Sequence, residues 1–199
     1  MEKIAVDAMG GDFAPLEIVL GSIQAVREFK IPVVLVGDKE QILTILKNNH
    51  EENNPLIEIH HASEVIEMGE HPGLAYRKKK DASVSVGARL VRAKECGALV
   101  APGSTGAAVT AGLLGIGRIK GIERPAILTP IPNEKGRYTY LIDSGASAQP
   151  KVETYVQNAI LGYIYASKVA GIKNPRIGLL NIGEEDTKGS PLVTEANKV

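Results

Sequence analysis

Residues 98–121 read ALVAPGSTGAAVTAGLLGIGRIKG, and the rest of the chain is arranged around them. Residues 98–101 are a short apolar run with strand character. Pro102-Gly103-Ser104-Thr105-Gly106 then interrupts it with turn formers and two hydroxyls. From Ala107, small and apolar residues predict a helix running to Ile119. A strand, a Gly/Ser/Thr loop and a helix start have two readings. One is an anion site, because the first turn of a helix has unpaired N–H groups and partial positive charge, and glycine lets a ligand approach the backbone. Ser104 and Thr105 would add hydroxyl donors. The other is a plain βα turn closed by a capping Ser or Thr.

Outward from this segment, strand and helix patterns alternate. Lys3-Ile-Ala-Val-Asp7 is a short buried-type strand with Asp7 at its carboxyl end, the end where ligands gather in parallel sheets. Gly10-Gly11 follows and permits unusual backbone angles. A helix is predicted from Pro15 to about Phe29, with Ile18, Val19, Ile23 and Val26 on its apolar face. Pro32–Val36 is a second strand, residues 39–47 a helix, and Leu56–His60 a third strand. Next comes the basic block Tyr76-Arg-Lys-Lys-Lys80, just before a helix expected over Ser83–Cys96. It is either a solvated charged face or a set of cations, Lys79 and Lys80 among them, converging on an anion with the helix start.

Beyond the central helix, residues 124–129 read as a strand ended by Pro130 and Pro132. Residues 138–143 read as its hairpin partner across Asn133–Gly136. A helix is expected from about Pro150 to Val169. A strand over residues 176–181 then precedes a polar loop, and Ser190-Pro191 opens a last helix expected to run to Val199. The alternation predicts a mostly parallel sheet covered by helices on both faces. The polar loops at Asp7, Gly103, Asp143 and Asn181 would gather at the strands' carboxyl ends. One α/β domain is expected over residues 1–199.

Composition sets limits on function. Lys+Arg and Asp+Glu balance at 23 each among 199 residues, which argues against broad electrostatic binding of nucleic acid. Aromatic content of 4% leaves an aliphatic, Ala/Gly-rich core. The single cysteine, Cys96, excludes an internal disulfide and fits a reducing compartment; a buried small hydrophobe is its simplest role. The opening Met1-Glu2-Lys3 leads straight into a strand, so no signal peptide is expected, and no apolar run is long enough to span a bilayer. Gly115-Ile-Gly117 closes a helix instead of opening one, which is wrong for a dinucleotide fingerprint. Neither a Walker A pattern nor Gly-x-Ser-x-Gly occurs, and His50, His60, His61 and His71 lack paired metal-ligand spacing. Glu184-Glu185-Asp186 reads as an exposed acidic loop more readily than as a metal site.

Five blocks, VDAMGGDFAP (6–15), HASEVIEMGEHPGLAYRKKKDASV (61–84), PGSTGAAVTAG (102–112), GRIKGIERPA (117–126) and GLLNIGEEDTKG (178–189), occur in collinear order. They resemble the PlsX family, the phosphate acyltransferases of bacterial phospholipid synthesis. The resemblance implies a Rossmann-like three-layer α/β/α sandwich related to isocitrate and isopropylmalate dehydrogenases, here without the C-terminal part of the family fold. It also implies transfer of a fatty acyl group from acyl-acyl carrier protein to inorganic phosphate, by a cytoplasmic homodimer attached peripherally to the membrane. Two departures stand out. Ser104 occupies a loop where the family commonly carries Asn, and Gly145-Ala146-Ser147-Ala148-Gln149 lacks the amide and carboxylate often found there.

A thioester is already activated, so phosphate can attack it directly, and neither a redox cofactor nor a metal is implied. What is required is a held dianion and a stabilised oxyanion. The backbone at Gly10, Gly11, Ser104, Thr105 and Gly106 has the right donors. Asp7, Lys79, Lys80, Asn181 and Gly183 complete the expected substrate-binding set, and Lys188, in a glycine-flanked loop, is the expected catalytic cation. Two alternatives remain: a phosphotransacetylase-like enzyme using acyl-coenzyme A, and an anion-binding fragment without turnover.

Overall fold

The computed structural model describes residues 2–147, 149–183, 185 and 188–199. The chain divides into two compact units, Met1–Arg118 and Ile119–Val199.

The first unit is built from β1 (Ile4–Asp7), α1 (Leu16–Phe29), β2 (Val33–Gly37), α2 (Lys39–Asn48), β3 (Ile57–His61), α3 (Pro72–Lys78), α4 (Ser83–Arg92), β4 (Ala98–Val100) and α5 (Thr105–Thr110). Its four strands lie in the order β3-β2-β1-β4, and every pairing is parallel. Alternate side chains leave a strand on opposite faces, so the two cores separate cleanly. Val33 and Leu35 of β2 join Val6, Val19, Ile23, Val26, Ile42 and Leu46 beneath α1 and α2. Val34 and Val36 join Ala5, Val86, Leu90 and Cys96 beneath α4. A sheet covered on both faces needs continuous apolar strands, which is why VVLV was legible as one. The unit is a mixed α/β, Rossmann-like sandwich of the expected class.

Asp38 caps α2, accepting from the Gln41 amide at 2.9 Å, and that bond lowers the carboxyl pKa. The sequence reading did not anticipate α3. His71 accepts from the Leu74 amide at its start, Pro72 sits in its first turn, and Arg77 and Lys78 lie in its last turn, where the helix dipole favours cations. The helix expected over Ser83–Cys96 ends earlier, at Arg92. The one expected to reach Ile119 starts as α5 and continues as a π-helix over Ala111–Ile116. Gly115 within it abuts Tyr76 and Ala88, where a Cβ would fall 2.6 Å from the Ala88 methyl. This close approach of backbone to side chains is invisible in a periodicity pattern.

The second unit contains β5 (Leu128–Pro132), β6 (Tyr138–Ile142), α6 (Val152–Ile164) and α7 (Pro191–Ala196). β5 and β6 form the expected antiparallel hairpin, with Leu128 opposite Ile142 and Pro132 opposite Tyr138. β5 begins at Leu128, later than expected, and runs through Pro130 to end at Pro132. In a two-stranded ribbon each strand has an open edge, and proline's missing N–H is tolerated there. Asn133 Oδ1 accepts from the amides of Lys135 (3.1 Å) and Arg137 (3.2 Å) to close the turn. A π-helical turn, Tyr165–Val169, extends α6 to the expected end, and Tyr140 packs edge-on to Tyr165 with ring centroids 5.4 Å apart.

Ser190 caps α7 and Pro191 opens it, as expected, but the helix ends at Ala196. The strand expected over residues 176–181 does not form. Its composition is strand-like, but a strand needs a neighbour to receive its N–H and C=O groups, and the hairpin in this unit pairs only with itself. Leu180 and Ile182 are correspondingly 83% and 87% exposed. No helix among the described residues is long and apolar enough to cross a membrane.

Candidate functional site

Because β1 and β4 are adjacent and parallel, with Val6 opposite Val100, the loops leaving their carboxyl ends emerge side by side. These are the Gly10-Gly11 and Gly103–Gly106 segments, and the structure brings them into backbone contact. A Cβ on Gly10 would lie 3.0 Å from Gly103 N and 3.1 Å from Gly103 Cα, and one on Gly103 would lie 3.0 Å from Gly10 Cα. A methyl group at either position would force the facing backbone to give by a few tenths of an ångström. Gly11, at φ +109°, turns back over the Pro102 carbonyl in a conformation that L side chains rarely adopt. The glycines at 10, 11 and 103 are therefore demanded by geometry.

Ser104 ends this loop as the cap of α5. Its Oγ accepts from the Ala107 amide at 3.4 Å, and its carbonyl accepts from Ala108 at 2.9 Å. Of the two readings of the loop, capping is thus realised, and it occupies the Ser104 side chain. Capping does not exclude an anion, since the amides at the very start of a helix have no intrahelical acceptor. Thr105 is exposed, whereas Gly106 faces Pro72, whose Cγ would be 2.9 Å from a Cβ there. Gly106 is needed for α3 and α5 to approach each other.

Asp7 is turned inward and is only 4% exposed. Oδ1 accepts from the Met9 amide at 3.2 Å, and the Ser83 hydroxyl and Gly10 amide also act on the carboxylate. Desolvation outweighs these bonds, so the Asp7 pKa lies above the ordinary aspartate value. The basic block is divided. Lys79 donates to the Val65 carbonyl (2.7 Å) and to Glu70 (2.6 Å), so its ammonium fastens the 65–70 turn to the end of α3, and the bond lowers the Glu70 pKa. Lys80 is exposed. Asp81 accepts from the Ser63 amide (2.8 Å) and hydroxyl (2.6 Å).

Asn181, Gly183 and Lys188 come together in one loop of the second unit. Asn181 Nδ2 donates to the Lys188 carbonyl at 2.7 Å, and its Oδ1 accepts from the Ile182 amide at 2.9 Å. A Cβ on Gly183 would lie 3.0 Å from Lys188 Cγ. Lys188 is exposed, and with Asn181, Gly183 and Glu185 it lines an open cleft of about 540 Å³. Glu185 is exposed as expected of an acidic loop, whereas Glu184 and Asp186 lie outside the described residues. Asp143 accepts from the amides of Ile127 (2.9 Å), Ala146 (3.0 Å) and Ser147 (2.9 Å), which gives it a loop-forming role; Ala148 is outside the described residues. Cys96 is buried, and desolvation raises its thiol pKa, in keeping with a packing role.

Two features of the site escaped the sequence reading. Pairing of Ser83 with Asp7 joins residues 76 positions apart, and only the recurrence of hydroxyls at the start of α4 hinted at it. The contact of Pro72 with Gly106 was signalled by the His71-Pro72-Gly73 helix start, which the neighbouring charge run obscured.

Comparison with known proteins gives a consistent result. The chain is 50% identical over 194 residues to a phosphate acyltransferase of Pelotomaculum thermopropionicum, covering 98% of this chain and 56% of that protein. It is 52% identical over 192 residues to a phosphate acyltransferase of Desulfitobacterium hafniense, covering 96% and 56% respectively. A phosphate acyltransferase of Aquifex aeolicus is 49% identical over 195 residues, covering 98% and 57%. The chain therefore spans a little over half the length of these curated relatives. A family model described as "Fatty acid synthesis protein" matches residues 2–199, and the chain belongs to that family.

Proposed function

We propose that the protein transfers an acyl group to inorganic phosphate, and that the Gly10–Gly103 crossing receives the phosphate. The observation that supports this most is the crossing itself: two glycine loops in backbone contact beside a helix start, in a chain whose relatives are named phosphate acyltransferases. The Gly10 amide is engaged by the Asp7 carboxylate, so the proposed donors to the dianion are the remaining backbone amides of the two loops. Each charge-assisted hydrogen bond to that dianion contributes roughly 1.5–3 kcal/mol.

A phosphate oxygen attacks the thioester carbonyl, a C–O bond forms and the C–S bond breaks. The thiolate leaves and takes the proton carried by the hydrogen phosphate, giving acyl phosphate and free thiol. Lys188 is the proposed cation for the developing oxyanion. The proposed acyl donor is acyl-acyl carrier protein, on the sequence resemblance, with no redox cofactor or metal. On the same ground the whole protein is proposed to act as a cytoplasmic homodimer, peripherally bound to membrane.

The test is hydroxylamine trapping of acyl phosphate by the full natural chain, with acyl-acyl carrier protein and acyl-coenzyme A in parallel. Phosphate-dependent product from the carrier-protein thioester supports the proposal. Product from the coenzyme A thioester alone would transfer the assignment to the phosphotransacetylase-like reading, and no product from either would end it.

A further inference from the structure

The buried carboxylate of Asp7 sits where the two glycine loops meet. Its Oδ2 would be 2.7 Å from a Cβ on Gly10, the same atom that would collide with the Gly103 backbone. Asp7 Oδ2, Gly10 and Gly103 therefore close on one small volume. From the other side Ser83, 1% exposed at the start of α4, acts on the same carboxylate. Ser83 is itself anchored, its amide donating to the Glu64 carbonyl at 3.1 Å. One side chain thus links the end of β1, the loop that follows it and the start of α4, at the crossing proposed to receive phosphate.

A buried carboxylate is a costly way to fill such a volume, since an apolar side chain would avoid the desolvation. Burial also keeps Asp7 from presenting its charge to a ligand in solution. We propose that Asp7, held by Ser83, is a positioning residue that fixes the approach of Gly10 to Gly103 and so aims the loop amides at phosphate. It acts through Gly10 and does not touch the substrate. This inference rests on the phosphate reading of the crossing.

The test uses Asp7→Asn and the milder Ser83→Ala in the full natural chain. Steady-state kinetics in phosphate and in acyl donor are measured, together with calorimetric titration by inorganic phosphate. Misaiming one charge-assisted bond should raise the phosphate KM on the order of tenfold or more in Asp7→Asn, and less in Ser83→Ala, with the acyl-donor KM within about twofold of wild type. A purely structural role would instead reduce the active fraction, lowering kcat with both KM values unchanged, and that result overturns the inference. Should the wild-type chain make no acyl phosphate, the proposed activity fails, but the titration still decides the positioning role. Phosphate binding weakened in both variants supports it; equal binding in wild type and variants, or none in any of them, overturns it.

Discussion

Replacing Gly103 by alanine probes the loop crossing most sharply. The added methyl would sit 3.0 Å from Gly10 Cα and 3.4 Å from Gly11 N, both backbone atoms that cannot rotate away. That is tighter than ordinary van der Waals contact, so one loop must give by a few tenths of an ångström. Overpacking of this kind costs about 1–3 kcal/mol of stability. A misplacement of about 1 Å in a group that orients a reactant costs on the order of 10²-fold in rate, so a shift of a few tenths should cost roughly fivefold. Gly21→Ala is the matched control. Gly21 lies inside α1 with nothing within 4 Å of its Cβ position, and alanine there should stabilise by about 0.5–1 kcal/mol. Denaturant unfolding and initial rates of both variants, in the full natural chain, make the comparison. Wild-type stability and turnover in Gly103→Ala would refute the argument that this contact shapes the site.

Asp7 also gives a pH signature. Its folded pKa is raised, so between the unfolded value, about 4, and the folded value the folded state binds more protons, and stability falls as pH rises through that window. Asp7→Asn removes this dependence, so the melting temperature of the variant relative to wild type should climb with pH across the window; a difference that shrinks would show the pKa shift to have the other sign. Lys188→Ala should cut turnover by about 10²–10³-fold, like loss of an oxyanion donor, while an exposed loop lysine leaves the melting temperature unmoved; unchanged kinetics would remove Lys188 from the mechanism. The isolated 199-residue chain should self-associate, because Ile177, Leu180 and Ile182 lie exposed in one short segment, and sedimentation of a monodisperse, cooperatively melting monomer would contradict this.

The parts of the fold readable from sequence were those fixed by local patterning. Residues 33–36 are apolar on both faces and are covered on both faces. Ser190-Pro191 has the chemistry of a helix start and makes one. The glycines at 10, 11 and 103 marked the loops that meet. What stayed hidden depended on partners distant in sequence. Gly115 required Tyr76 and Ala88, Gly106 required Pro72, and Asp7 required Ser83. Residues 176–181 show the reverse case, a strand-like run whose propensity yields no strand where the hairpin pairs only with itself. Lys79 shows what residue type alone leaves out: its ammonium is held by Glu70 and the Val65 carbonyl, partners that the charge run did not point to.

The central claim is that inorganic phosphate itself attacks the acyl thioester. Phosphorus NMR of the full natural chain with acyl-acyl carrier protein and phosphate, without nucleotide or nicotinamide cofactor, tests it most directly. The account predicts an acyl phosphate resonance that grows as the phosphate resonance declines, in step with release of carrier-protein thiol. Thiol release without that resonance, or a resonance that requires added ATP, would contradict it.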